Sequence, residues 1–325
     1  MRIDCQTHIF PVEYAEVLTQ NPEWPRTVLE ADQFVLTYKD AQTFVMGREA
    51  YGVKLKLRAM DAADVDISAL SVNMPGPENL APELAVPAAR AGNDALAEAV
   101  AQHPDRFVGL ACLPWQSTED ALAELERAVG TLGHRGVMLY SHIVGVEVDD
   151  VALDPLYQRI AELGVPVVLH PSVPPWGEAI KHHSMIPMAG LMVHQSFATL
   201  QLILGGVLER HPQLKVVQPH CGGVLPYLWG RVEHQTETLR RGRAQISQPV
   251  GSYYKRVYLD VVSPWPPALK LAYEFAGSDR LLFASDHPWV EIDVLSRLVE
   301  NMDIPAEDKD AIFGRNACAL FGIGG

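Results

Sequence analysis

The stretch GVMLYSHIVGVEVDDVALDPLYQRIAELGVPVVLH, residues 136–170, predicts a strand, a helix and a second strand. Residues 136–142 and 165–170 are short runs rich in Val, Leu and other apolar residues, as is typical of strands buried on both faces of a parallel sheet. Residues 155–163, between them, have the spacing of an amphipathic helix. Both strands end on a histidine, His142 and His170. The stretch therefore indicates an α/β fold with polar side chains at the carboxyl ends of its strands.

The same alternation extends along the chain in both directions. Eight strand candidates lie at residues 2–10, 66–73, 107–114, 136–142, 165–170, 214–220, 256–262 and 280–285. Strand–helix alternation repeated eight times predicts a (β/α)8 TIM barrel, and such barrels often run past ~250 residues as one domain. We therefore predict a single domain over residues 1–325. A doubly wound open sheet is the alternative, although no GxGxxG motif opens a helix after a strand.

Two connections are longer than a barrel needs. Residues 11–64 separate the first and second strands, and residues 172–190 follow the fifth. Long segments of this kind in compact domains are usually functional or disordered. Because both leave the carboxyl ends of strands, where barrel active sites are built, we predict that 11–64 is a small cap insertion and that 172–190 is a lid loop.

Composition excludes several classes of protein. The 26 basic and 40 acidic side chains leave a formal charge of -14, which argues against nucleic acid or an anionic membrane as a partner. The four cysteines are far apart and form no CxxC pair, so neither a zinc ribbon nor a disulfide framework is expected. The first predicted strand starts at Arg2, and the most apolar long segment, 189–208, contains several polar residues. We therefore expect no signal peptide, no membrane span and a cytoplasmic location.

Histidines mark the carboxyl ends of four predicted strands. They are His8, His142, His170 and His220, and Asp286 follows the eighth strand. In a barrel these ends meet on one face, so the five side chains become neighbours. Imidazoles with one carboxylate are the ligands of zinc or a similar divalent ion. The pattern predicts a metal site; a polar cluster without metal is the alternative.

Four short motifs carry a resemblance to a known family. They are DCQTHIFP at 4–11, LHPS at 169–172, PHCGG at 219–223 and SDHPW at 285–289. In this order and spacing, which cover nearly the whole chain, they resemble the amidohydrolase superfamily. The branch they resemble contains aminocarboxymuconate-semialdehyde decarboxylase and the resorcylate-type decarboxylases.

The resemblance implies a ligand set for one divalent ion. In such proteins the first strand ends in His-x-His, which is Gln6-Thr7-His8 here, so Gln6 replaces the first imidazole. The implied ligands are Gln6, His8, His170 and Asp286; alternatively, Gln6 only hydrogen-bonds within the site. The fourth strand lacks the lysine that bridges two metals in other members of the superfamily, which implies one metal at most. Zinc is the expected ion, with manganese as the alternative.

The same resemblance implies roles for three further residues. His220 corresponds to the histidine beside the metal-bound water and is the expected general acid/base, although it is also a candidate fourth ligand in place of the lost imidazole. Arg48 corresponds to an arginine that grips a substrate carboxylate, a geometry that suits a guanidinium group. Arg240, or Arg241 beside it, corresponds to an arginine that reaches the partner's site across a dimer interface. We therefore expect a homodimer.

The expected activity is metal-dependent decarboxylation of a small unsaturated or aromatic carboxylate. Hydrolysis of an ester, lactone or amide by the same metal site is the second possibility, and hydration of a dienoate-like acid is a third. The remaining alternative is a protein that is not an enzyme, in which the barrel has lost its metal and its activity. Gln6 is the only residue that supports this alternative.

Overall fold

The computed structural model describes residues 1–324, which contain eleven strands. These are β1 (Ile3–Ile9), β2 (Arg26–Leu29), β3 (Gln33–Tyr38), β4 (Gln42–Gly47), β5 (Ile67–Val72), β6 (Phe107–Ala111), β7 (Gly136–Tyr140), β8 (Val167–His170), β9 (Val216–Gln218), β10 (Tyr258–Asp260) and β11 (Leu281–Leu282). Eight of them form one parallel sheet in the order β1-β5-β6-β7-β8-β9-β10-β11. All eight strands predicted from the sequence are present, although several are shorter than predicted.

Backbone hydrogen bonds close this sheet into a barrel. The amide of Cys5 donates to the carbonyl of Phe283 at 2.9 Å, and the amide of Asp286 donates to the carbonyl of Gln6 at the same distance. The segment after β11 therefore runs alongside β1. The prediction of a (β/α)8 barrel is confirmed, and the alternative of an open doubly wound sheet is wrong.

Most of the helices lie between strands along the chain, and the last three follow β11. They are α1 (Val12–Leu18), α2 (Val53–Ala62), α3 (Pro82–Gln102), α4 (Thr118–Leu125), α5 (Asp154–Leu163), α6 (Leu191–Leu204), α7 (Val207–Arg210), α8 (Leu225–Glu233), α9 (Val250–Tyr254), α10 (Pro266–Ala276), α11 (Ile292–Glu300), α12 (Ala306–Asp310) and α13 (Asn316–Phe321). Within residues 1–324, no helix is both long enough and apolar enough to cross a membrane.

The unit at 136–170 shows why the chain folds this way. All five residues of β7 and all four of β8 are buried, so their continuous apolar sequence fits a sheet covered on both faces. Helix α5 begins at Asp154 with Pro155 in its first turn. It ends at Gly164, whose φ of 72° is the left-handed conformation that glycine adopts without strain. These local signals agree with the tertiary fold.

A small antiparallel sheet, β2-β3-β4, lies within the segment predicted as a cap. Its buried side chains alternate along β3 and β4, as they do when one face of a sheet packs against a core and the other faces solvent. Phe34 packs edge-on against Phe10 of the barrel at a ring-centroid distance of 4.8 Å. The same face carries Phe44 toward the mouth of the barrel. In the second long segment, short helical turns occupy Gly177–Ile180, His182–Ser184 and Ile186–Gly190.

A buried acid, Glu78, supports the carboxyl end of β7. Its Oε1 accepts a hydrogen bond from the amide of Tyr140 at 2.8 Å, and its Oε2 has no partner within residues 1–324. Burial raises the pKa of Glu78 from 4.5 to about 8. The folded protein therefore holds this proton more tightly than the unfolded chain does. The resulting stability is fully present below pH 4.5 and is lost as the pH rises toward 8.

The Glu78→Gln variant tests this pH dependence. Gln keeps the carbonyl that accepts from Tyr140 but does not titrate, and one pKa unit corresponds to about 1.4 kcal/mol. We expect the stability of the variant relative to the wild type to rise by on the order of 2–4 kcal/mol between pH 5 and pH 8. Urea unfolding at both pH values measures it, with the exposed Glu83→Gln as the matched control. Parallel pH curves for wild type and Glu78→Gln would contradict the assignment.

Candidate metal centre at the barrel mouth

Three side chains meet where β1, β8 and the segment after β11 end. His8 Nε2 lies 2.9 Å from Asp286 Oδ1, and His170 Nε2 lies 3.1 Å from His8 Nε2 and 3.6 Å from Asp286 Oδ1. One donor atom from each residue lies within 4.8 Å of the others, and all three side chains are buried. Residues separated by up to 278 positions in the chain therefore form one cluster.

Hydrogen bonds behind the two imidazoles orient them. His170 Nδ1 lies 2.7 Å from the carbonyl oxygen of Pro171, which only accepts, so Nδ1 carries the proton. His8 Nδ1 lies 2.8 Å from Ser71 Oγ, whose own hydrogen bond goes to the carbonyl of Thr7 at 3.4 Å. Both Nε2 lone pairs therefore face the same point. Two lone pairs only 3.1 Å apart repel each other, and a cation between them would convert this repulsion into binding.

The charge states fit a divalent cation as well. Burial lowers the pKa of His8 to about 4, which keeps its imidazole neutral at physiological pH. Burial alone would raise the pKa of Asp286, but the imidazoles of His170, His220 and His8 beside its carboxylate outweigh burial and hold that pKa well below its usual range. Neutral imidazoles beside one carboxylate are the donors that zinc and manganese sites use.

Gln6 carries a buried carbonyl oxygen that is a candidate fourth donor. Its side chain is buried, and Nε2 donates to Asp286 Oδ1 at 3.3 Å. Its carbonyl oxygen, Oε1, is buried without a hydrogen-bond partner within residues 1–324. An unpaired buried carbonyl costs about 1–3 kcal/mol, which coordination to a metal would recover. The residues present therefore fit a single divalent ion, and the role of Gln6 as a ligand stays a prediction.

Replacing Gln6 by His tests that role. If Oε1 is a ligand, Gln6→His should tighten zinc binding by roughly tenfold or more, because imidazole is the stronger donor for zinc. Competitive titration against a chelator measures the affinity, with Gln20→His on the protein surface as the control. Unchanged or weaker binding in Gln6→His would show that Gln6 only hydrogen-bonds within the site.

His220 lies beside the cluster, in a turn that follows its strand. It follows β9 in a tight helical turn, and its φ of 57° is in the left-handed region. Its amide donates to Asp260 Oδ1 at 2.6 Å, which holds the turn. Nε2 lies 3.6 Å from Asp286 Oδ2, while Nδ1 is buried without a partner within residues 1–324. Burial lowers the pKa of His220, but the carboxylate of Asp286 outweighs this and raises it, so the imidazole is able to carry a proton.

A buried lysine behind the cluster escaped the sequence analysis. Lys56 of α2 is fully buried, and its Nζ donates to Thr7 Oγ1, to His287 Nδ1 at 2.6 Å and to the carbonyl of His287 at 2.8 Å. Burial lowers the pKa of Lys56 to about 7. Because Thr7 precedes His8 and His287 follows Asp286, the ammonium group ties together the two segments that carry His8 and Asp286. Ser71 and Asp260 were missed too, although each is a polar residue near the end of an apolar strand.

The other predicted residues do not join this cluster. Arg48 lies beside a separate pocket with Phe34, and its guanidinium contacts the carbonyl oxygens of Glu30 and Ala31 at 3.4 and 3.2 Å. Arg240 is exposed beyond the helical turn His234–Thr238. The ring of His142 lies tilted beside that of His194 at a ring-centroid distance of 6.2 Å, and His142 does not line the cavity described next.

A cavity of about 360 Å³ opens onto His170, His220 and Asp286. Its remaining lining comes from β4, the segment 172–190, α6 and the loops after β5, β8, β10 and β11: Phe44, Met74, Pro171, Pro187, Met188, Leu191, Met192, Val262, Ser263, Pro264, Trp289 and Val290. The ionisable groups therefore lie together at one end of a chamber whose other walls are apolar except for Ser263. This arrangement suits a small, largely apolar ligand with oxygen donors at one end.

Comparison with known proteins agrees with this geometry. Residues 3–323 match the model of the family described as Amidohydrolase. A 2-amino-3-carboxymuconate-6-semialdehyde decarboxylase of Dictyostelium discoideum is 28% identical over 83% of this chain and 76% of its own. A gamma-resorcylate decarboxylase of Polaromonas sp. is 31% identical over 82% of this chain and 86% of its own.

A solved structure shares the fold as well. It is a dihydroxybenzoic acid decarboxylase of Polaromonas sp. with bound manganese and the inhibitor 2-nitroresorcinol. It superposes with a TM-score of 0.84 at 26% identity, covering 100% of this chain and 97% of the other. The family model spans residues 3–323 and includes all eight strands of the barrel. This chain therefore belongs to the amidohydrolase family.

Proposed function

We propose that this protein is a metal-dependent decarboxylase of an aromatic carboxylic acid. The observation that carries the proposal is the cluster of His8, His170 and Asp286, with His220 beside it, at the polar end of an apolar cavity. The names of the relatives, which include decarboxylases of resorcylate and of aminocarboxymuconate semialdehyde, support it. A family of this kind hosts several reactions, so the assignment rests on the site and not on the fold.

Gln6, His8, His170 and Asp286 would hold the ion. When bound, the ion supplies a Lewis acid that binds oxygen donors of the substrate and offsets their charge. The set contains two imidazoles, one carboxylate and one amide carbonyl, and oxygen donors shift preference toward harder ions. We propose manganese, which is bound in the Polaromonas structure, with zinc as the alternative. Metal analysis of protein purified without chelator distinguishes them.

His220 would deliver the proton that decarboxylation requires. When the bond between the ring carbon and the carboxylate carbon breaks, its electron pair stays on the ring carbon and CO2 leaves. That carbon must then accept one proton, and a positioned imidazole is a suitable donor near neutral pH. The raised pKa of His220 keeps the proton available beside the cluster. The apolar lining favours conversion of the charged carboxylate to neutral CO2.

Release of CO2 from hydroxybenzoates tests the reaction. Manganese-loaded protein is incubated with a small panel that includes 2,6-dihydroxybenzoate, and CO2 and the phenol are quantified against heat-treated protein. We expect equal amounts of both products from at least one member. Absence of CO2 from the whole panel, together with hydrolysis of an aryl ester that incorporates oxygen from labelled water, would overturn the proposal in favour of a hydrolase.

We also propose that two copies of the chain form a homodimer. The support is apolar surface on α6 and α8: Phe197 is 47% exposed and Tyr227 is 84% exposed. Arg240, which is exposed near the end of the same helical segment as Tyr227, would then be able to approach the partner. Light scattering at micromolar concentration should give twice the mass of 35.8 kDa. A monomer under these conditions would contradict both the dimer and any role for Arg240 across it.

A further inference from the structure

The charges around the cavity restrict the substrate further. We propose that the substrate carries one acid group only, and that the far side of its aromatic ring is uncharged and bears apolar groups or none. This inference rests on the proposed function, because it takes the metal end of the cavity as the place where the single acid group binds.

The charge-bearing groups of the lining are all at one end. His170, His220 and Asp286 form that end, and no Lys or Arg lines the cavity within residues 1–324. Ser263 adds one hydroxyl group. The indole Nε1 of Trp289 is already committed, because it donates to Asn73 Oδ1 at 3.0 Å. The walls therefore offer a second carboxylate almost no hydrogen-bond donor.

Two basic side chains outside the lining, Arg48 and Lys56, are occupied elsewhere. The guanidinium of Arg48 contacts backbone carbonyls beside a different pocket, and Lys56 is sealed behind the cluster by Thr7 and His287. A carboxylate that leaves water without a cationic partner loses several kcal/mol of solvation. Within one chain, a second acid group on the ring would therefore be unfavourable in this cavity. A diacid that binds as tightly as the monoacid would instead indicate that the partner's Arg240 enters it.

The walls have the chemistry that favours an aromatic ring with apolar substituents. Three thioethers line the cavity, from Met74, Met188 and Met192, and sulfur contacts aromatic rings favourably. Phe44 and Trp289 add an edge-to-face pair with ring centroids 5.7 Å apart. The flexible methionine side chains adapt to the size of a ring substituent, but they cannot pair with a charge.

Two ligands that differ by one carboxylate test the inference. Binding of 2-hydroxybenzoate and of 2-hydroxyisophthalate to the manganese-loaded protein is measured by calorimetry at constant pH and salt. We expect the monoacid to bind at least roughly tenfold more tightly, and 3-methyl-2-hydroxybenzoate to bind at least as well as its parent. Equal or tighter binding of the diacid overturns the inference and leaves the proposed function standing. If neither acid binds, both are overturned.

A substitution at the rim of the cavity adds a second readout. Met188 is 71% exposed, so Met188→Arg places a guanidinium at the mouth with little risk to folding. Relative to Met188→Gln, a neutral control of similar length, Met188→Arg should shift the ratio of affinities at least roughly fivefold toward the diacid. An unchanged ratio, with both variants folded by circular dichroism, would show that missing positive charge is not what excludes the second carboxylate.

Discussion

Replacing Asp286 by Asn should remove the bound metal and, with it, all measurable turnover. Asp286 Oδ1 lies 2.9 Å from His8 Nε2 and its Oδ2 lies 3.6 Å from His220 Nε2, so this carboxylate contacts both functional parts of the site. It is also the single negative charge among the four proposed ligands. An amide of the same shape keeps the packing but loses the charge that balances a divalent ion. We expect metal affinity to fall by at least roughly a hundredfold, because the ionic interaction between the carboxylate and the metal is lost.

Metal content after dialysis, measured by elemental analysis, checks this result alongside CO2 release. Asp154→Asn is the matched control, because Asp154 pairs with Arg210 and His211 on the outside of the barrel. That variant should lower stability and keep about one ion per chain. Full metal occupancy in Asp286→Asn would exclude Asp286 as a ligand and would remove the main support for the proposed centre.

Replacing His220 by Asn should instead keep the metal while turnover falls by roughly 10²–10⁴, the usual contribution of a positioned general acid/base. Asn is the suitable replacement because the φ of residue 220 is 57°, and Asn tolerates the left-handed region better than most residues. The Asn side chain is polar but shorter than that of His, and its amide does not titrate near neutral pH. It therefore cannot replace the imidazole as a proton donor. The comparison therefore separates proton transfer from metal binding.

His142→Asn is the control for this variant, since His142 lies near the barrel rim but does not line the cavity. It should retain nearly full turnover. Loss of metal in His220→Asn would mean that His220 is a ligand that compensates for Gln6, and the proton donor would have to be another group. Full activity with full metal content would show that the catalytic role proposed for His220 is wrong.

Local sequence patterns were sufficient to predict the barrel. The apolar runs at 136–142 and 165–170 correspond to β7 and β8, because a strand buried on both faces needs apolar residues at every position and such a run is visible in the sequence. The clustering of His8, His170 and Asp286 was also predictable once eight parallel strands were assigned. In a closed parallel barrel, all carboxyl ends lie on the same face, so position in the strand alone brings these residues together.

Side-chain direction was not predictable in the same way. Lys54 and Lys56 are two lysines that lie two residues apart on α2, yet Lys54 is exposed and Lys56 is fully buried. Two residues of helix separate their directions by about 200°, and only the position of α2 against the barrel decides which lysine meets Thr7 and His287. Arg48 shows the converse. Resemblance predicts that it contacts substrate, but its guanidinium contacts the carbonyl oxygens of Glu30 and Ala31.

The sequence by itself therefore determined the eight strands, the barrel and the residues at the strand ends, since these depend on periodicity and on the order of elements along the chain. Only the tertiary structure decided that Lys56 ties together the segments that carry His8 and Asp286. It also decided that, within residues 1–324, Gln6 Oε1 has no hydrogen-bond partner and no Lys or Arg lines the cavity. The physical reason is that hydrogen bonding, burial and the charge of a cavity are sums over side chains from many elements. Their directions are set by packing between those elements and not by any local pattern.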